Sequence, residues 1–138
     1  MNALYSTMSI DEDCPAWSPA LGFLGCAFAV VFSNIGGAYG TAKAARGILA
    51  AGITSPDLLM KNIIPVVMAG VLGIYGLIVA VIIQGGITAP DISTGQTQYS
   101  QYKGWASLAG GLCAGLSSLA SGFAIGIAAD VGTRAVGA

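Results

Sequence analysis

Three uncharged stretches dominate this chain of 138 residues, running from Ala16 to Ala42, Asn62 to Pro90 and Gly104 to Ala129. A hydrocarbon layer about 30 Å thick takes roughly 20 apolar residues of helix to cross. Each stretch is long enough. Charged residues make up only 8% of the chain, against about a quarter in a soluble domain. A water-facing surface cannot be built from that composition. The fold class expected is therefore all-α, with transmembrane helices as the only elements.

The same counts exclude several kinds of chemistry. The net charge is −1 and no basic tract occurs, which speaks against a nucleic-acid partner. There is no histidine, so the commonest general base and metal ligand is missing. Cys14, Cys26 and Cys113 are scattered without a zinc or CxxC spacing, and the two within apolar stretches read as small packing residues. Neither metal nor cofactor is expected. Asp11, Glu12 and Asp13 precede the first apolar stretch, whereas a secretory leader begins with a positive segment. The first helix is thus expected to remain in the mature protein.

Turn and cap residues predict helices over about residues 19–46, 56–84 and 103–130, within a transmembrane domain of residues 16–138. Ser18-Pro19 and Ser55-Pro56-Asp57 read as helix starts. Lys43 and Arg46 then sit at the negative end of the first helix dipole. Pro65 falls inside the second helix and predicts a kink, since its missing N–H leaves a carbonyl unpaired. Lys43, Arg46 and Lys61 crowd the first connection. The positive-inside bias puts that connection in the cytosol and the tail of residues 1–15 on the far side. Trp17, Tyr99, Tyr102 and Trp105 would then form an aromatic belt at the far interface.

The helices differ in kind. From Gly104 to Ala129, 17 of 26 residues are Gly, Ala or Ser, while from Ile63 to Ile83, 13 of 21 are Ile, Val or Leu. Small residues let backbones approach closely, which drives association in lipid. Ladders of this kind occur at Gly36, Gly40 and Ala44, at Ala29, Ser33 and Gly37, at Gly111 and Gly115, and at Ser118, Gly122 and Gly126. They fit either a compact bundle of three or four helices or a ring of many copies with these helices as its inner wall. An internal repeat favours the ring: Gly36, Ala38, Gly40 and Ala42 match Gly122, Ala124, Gly126 and Ala128 at a constant offset of 86.

The segments Gly37-Ala-Tyr-Gly-Thr-Ala-Lys43, Lys61-Asn-Ile-Ile-Pro-Val-Val-Met-Ala-Gly70, Ile74-Tyr-Gly-Leu77 and Gly122-Phe-Ala-Ile-Gly126 closely resemble the c-type proteolipid of the vacuolar-type proton-pumping ATPase. The similarity covers about Ala16 to Arg134. The resemblance implies four helices per subunit, of which three are present here, assembled into a rotor ring in the membrane of an acidic organelle. It implies as partners membrane lipid, further proteolipid copies, an a-type stator subunit and the central stalk. Such a subunit transports protons while ATP is hydrolysed elsewhere, and is not itself an enzyme. The family carries its proton on a glutamate of the fourth helix. By the repeat, that acid corresponds to Gly70 in helix two. The chain therefore lacks the carrier, which suits a fragment, a truncated gene model or a short isoform, and leaves a non-transporting structural or assembly component as the alternative.

Few other side chains are candidates. Tyr75, five residues after Gly70, would need a hydrogen-bond partner in the membrane: either a helix-four carboxyl or a group on another helix. Asn34 and Ser33 would bond across helices or line water. Asp130 reads as an interfacial partner for Arg134 rather than as a carrier.

Overall fold

The computed structural model describes residues 14–88 and 98–137. Most of the N-terminal tail, and the part of the second connection containing Pro90, lie outside the described residues. Three long helices account for the architecture: α1 over Ser18–Thr54, α2 over Ile64–Gly85 and α3 over Gln101–Gly137. Two 3-10 turns, Pro56–Leu58 and Lys61–Ile63, lead from α1 into α2. Among the described residues there is no strand. All three helices are long and apolar enough to cross a membrane.

α1 and α3 lie parallel, pressed together along their whole length. Ser18 meets Gly104, Gly25 meets Gly111, Gly36 meets Gly122 and Ala51 meets Gly137. Each of these pairs is separated by the repeat offset of 86. The sequence repeat is therefore the register of the seam. A Cβ on Gly122 would lie 2.7 Å from Gly36 Cα, and one on Gly111 would lie 2.9 Å from Gly25 Cα. No side chain fits there. In lipid, where apolar burial is not itself a driving force, dispersion across so close an approach holds the pair.

α2 runs antiparallel to α1 and packs mainly on it. Ala69 sits against Gly37 and Gly40, and Gly76 against Ser33 and Ala29. Two side chains tie the helices: Ser33 Oγ donates to Leu72 O (2.7 Å) and Cys26 Sγ to Ala80 O (3.3 Å). The bulky residues of α2, such as Ile74, Leu77, Val81 and Ile82, are exposed. They suit a lipid-facing surface.

Several expectations need correction. α1 reaches Thr54 instead of about residue 46, so Lys43 and Arg46 lie inside it and no basic residue occupies its last turn. α3 likewise continues to Gly137, well past residue 130. Each has 37 residues, or about 55 Å at 1.5 Å per residue, and must project well beyond the hydrocarbon. Ser18 is no cap. Trp17 holds the cap position, and the Ser18 hydroxyl donates to Ser100 O across the α1–α3 seam at 3.0 Å. Pro65 does not kink a helix, because the chain up to Ile63 is 3-10 and Pro65 stands in the first turn of α2, where no N–H is needed. Tyr99 is not in an interfacial belt: it is 2% exposed, with its hydroxyl bonded to Ser107 Oγ (2.8 Å) and Lys103 O (3.2 Å). Trp17, Tyr102 and Trp105 remain outward-facing.

Candidate functional site

Because α2 and α3 both pack chiefly on α1, a groove remains between them. Residues three and four apart share a helix face, and Leu72, Tyr75 and Val79 of α2 form one wall. Ala114, Ser117, Ser118 and Ser121 form the other, enclosing about 320 Å³. Tyr75 is 58% exposed there and makes no hydrogen bond among the described residues. Ser117 donates to Ala114 O of its own helix at 3.1 Å. The groove thus offers hydroxyls midway along α2 and α3, with no carboxylate and no amine on its walls. Such groups can orient a hydrogen-bonding visitor.

Gly70 and Tyr75 are not brought together. Five residues of α-helix turn about 140°, and the space a Gly70 side chain would occupy is open, with nothing within 4 Å. Tyr75 faces α3; Gly70 faces outward. Ser117 and Ser121 were not singled out from sequence, although their spacing of four places both on one face of α3. Gly36, Gly40, Gly111, Gly115, Gly122 and Gly126 are all buried, along the α1–α3 seam.

The remaining polar groups are structural. Ser33 bonds across helices, as described. Asn34 does not: its Nδ2 donates to Val30 O in its own helix at 2.8 Å, and its Oδ1 rests against Gly73. Asp130 pairs with Arg134 Nε at 3.0 Å, one turn apart on α3 and in an exposed setting. No group of three metal-ligating side chains occurs among the described residues.

Comparison with known proteins is consistent along the chain. Residues 24–83 match the family model for the C subunit of ATP synthase. The V-type proton ATPase 16 kDa proteolipid subunit of Chrysotila carterae is 57% identical over 122 residues, covering 88% of this chain and 73% of the relative. The c′ subunit of the V-type proton ATPase of Eremothecium gossypii is 46% identical over 125 residues, 91% of this chain and 73% of that protein. The corresponding 16 kDa proteolipid of Nephrops norvegicus is 50% identical, over 90% and 74% respectively.

Proposed function

Since the chain belongs to the proteolipid subunits of V-type proton ATPases, within the family of the ATP synthase C subunit, we propose that it serves as a wall-forming subunit of a membrane rotor ring. The observation that carries this reading is the α1–α3 seam. Two copies of one small-residue helix lie side by side in the register of the sequence repeat. A ring extends that arrangement from chain to chain. The outward faces of the same helices supply it: Ala38 and Ala42 on α1, and Ala124 and Ala128 on α3, are small and exposed.

Proton transport through such a ring needs an ionisable group that changes charge inside the membrane. A carboxyl group in hydrocarbon has its pKa raised, because the charged form loses hydration. It travels neutral past lipid and ionises beside water or a cation. Between Asp57 and Asp130 the only carboxylate of this chain is Asp91, in the second connection, and α1 and α2 contain none. Asp130 of α3 is held by Arg134, and the family resemblance puts the carrier on a carboxyl of a further helix. Its seat is the groove beside Tyr75, whose phenol would hydrogen-bond it. One charge moved through 100 mV is worth about 2.3 kcal/mol, so ATP hydrolysis in a soluble part of the complex must drive the turn. The partners are further proteolipids, an a-type stator and the central stalk. An acidic organelle is the membrane that such a pump serves.

Purifying the tagged chain from its native membranes tests this. Expected is a ring-sized complex with other proteolipids, in which a hydrophobic carbodiimide labels a partner and leaves α1 and α2 of this chain unlabelled. A species that stays monomeric in gentle detergent overturns the ring role. Labelling within α1 or α2 overturns the account of the carrier.

A further inference from the structure

Two serines of this chain stand directly before a proline, Ser18-Pro19 and Ser55-Pro56. The fold treats them oppositely. Ser18 opens α1, is fully buried, and donates its hydroxyl to Ser100 O across the seam at 3.0 Å. Ser55 follows the last turn of α1, with its backbone extended at φ −144° and ψ 93°. A proline favours that conformation in the residue before it, because its ring clashes with the helical one. Ser55 is half-buried, while Ile53, Thr54, Pro56 and Asp57 around it are exposed. Its hydroxyl makes only a long bond, 3.5 Å, to Ala51 O.

Ser55 also lies where a soluble protein can reach it. Lys43, Arg46 and Lys61 give the first connection the charge bias that assigns it to the cytosol. About 13 Å of helix, at 1.5 Å per residue, separates Arg46 from Ser55. The serine thus stands beyond the last basic residue of α1, away from the long apolar run.

We propose that Ser55 is a phosphorylation site for a cytosolic proline-directed protein kinase, with ATP as the donor. Such an enzyme takes its substrate extended, with proline immediately after the acceptor, and Ser55-Pro56 already holds that geometry. Ser55 Oγ attacks the γ-phosphorus of ATP. The new Oγ–P bond replaces the bond from that phosphorus to the β,γ-bridging oxygen, ADP departs, and the hydroxyl proton passes to the catalytic aspartate of the kinase.

The phosphate would stand at the negative end of the α1 dipole. It carries nearly two charges at neutral pH, beside the last carbonyls of the helix, which lack intrahelical partners. No basic residue occupies the last turn of α1. On the facing helix, Arg134 borders a space of about 210 Å³ with Ala50, Ala51 and Thr54, but Asp130 engages it at 3.0 Å. Like-charge repulsion at a helix C-terminus loosens the turn. Phosphorylation therefore frays residues 51–54 and weakens the contact of Ala51 with Gly137. The proposal depends on the cytosolic placement of the first connection and not on ring membership, so the two can fail separately.

Sealed native-membrane vesicles with the cytosolic face outward would receive ATP and a purified proline-directed kinase, without detergent. Trypsin cuts after Arg46 and Lys61, and the peptide between holds Thr54 and Ser55 as its only hydroxyl acceptors. Mass spectrometry is expected to place phosphate on Ser55, both in these vesicles and in the same peptide from phosphatase-inhibited cells. Ser55→Ala should abolish it, Thr54→Ala should leave it, and Pro56→Ala should remove most of it although the serine remains. In the phosphorylated full chain in nanodiscs, amide exchange over residues 52–55 should quicken about five-fold, with α2 unchanged. Phosphate on Thr54, labelling only after the vesicles are permeabilised, equal labelling of Pro56→Ala, or absence of phosphate from the cellular peptide would each overturn the proposal. Slower exchange over residues 52–55, the sign of capture by Arg134, would overturn the fraying.

Discussion

Adding a single methyl group at Gly122 should loosen the whole bundle. A Cβ there would stand 2.7 Å from Gly36 Cα and closer still to the carbonyl of that residue. Nonbonded carbons settle at about 3.5–4.0 Å, so α1 and α3 must part by roughly 1 Å. Both atoms belong to helix backbone and cannot turn aside. Overpacking of this kind costs about 1–3 kcal/mol, and the rigidity of both partners places Gly122→Ala at the upper end. The control is Gly110→Ala, also inside α3 but with nothing within 4 Å of the added methyl. Both variants gain the same intrinsic helix preference of about 1 kcal/mol, so that term cancels in their difference. Reversible unfolding by dodecyl sulfate in mixed micelles, followed by the fluorescence of Trp17 and Trp105 and by circular dichroism, measures it. Gly122→Ala should unfold at clearly lower detergent fraction than Gly110→Ala, by about 3 kcal/mol. If the two variants agree within about 0.5 kcal/mol, a closely packed glycine seam is not what holds α1 to α3.

Ser33→Ala removes the 2.7 Å bond to Leu72 O and should cost about 0.6 kcal/mol, the usual worth of a side-chain bond between membrane helices; the same titration reads it, and an unchanged midpoint would count against the bond. Tyr99→Phe leaves Ser107 without its 2.8 Å partner and should cost about 1 kcal/mol, with faster amide exchange at the start of α3 and little change at the other end. Pro65→Ala should shift stability by less than about 1 kcal/mol, since Pro is tolerated in a first turn; a change near 3 kcal/mol would instead place Pro65 in a helix interior.

Much of the architecture is legible in the residue string because, in a bilayer, backbone groups must bond within their own segment. Long uncharged runs then have few alternatives to helix. The offset of 86 is equally visible, and it proves to be the register in which two helices touch. The ends are not legible. Ser18-Pro19 looks like a cap, yet the Ser18 hydroxyl finds Ser100 across the seam, a partner 82 residues away. Lys43 and Arg46 look like a terminus, yet α1 runs on because Gly47 and Ala51 still have α3 to pack against. Tyr99 looks interfacial until the gap beside Gly22 receives it.

The candidate site divides in the same way. Composition alone determined that no carboxylate lies within α1 or α2, and that Gly70 offers neither proton nor charge, because those properties belong to single side chains. Which faces meet was decided only by the folded bundle. Packing turned Tyr75 toward three serines and Gly70 toward open space. Helical period fixes the angles between residues on one helix, whereas the pairing of one helix face with another depends on backbone approach distances that arise only when all three helices are in place.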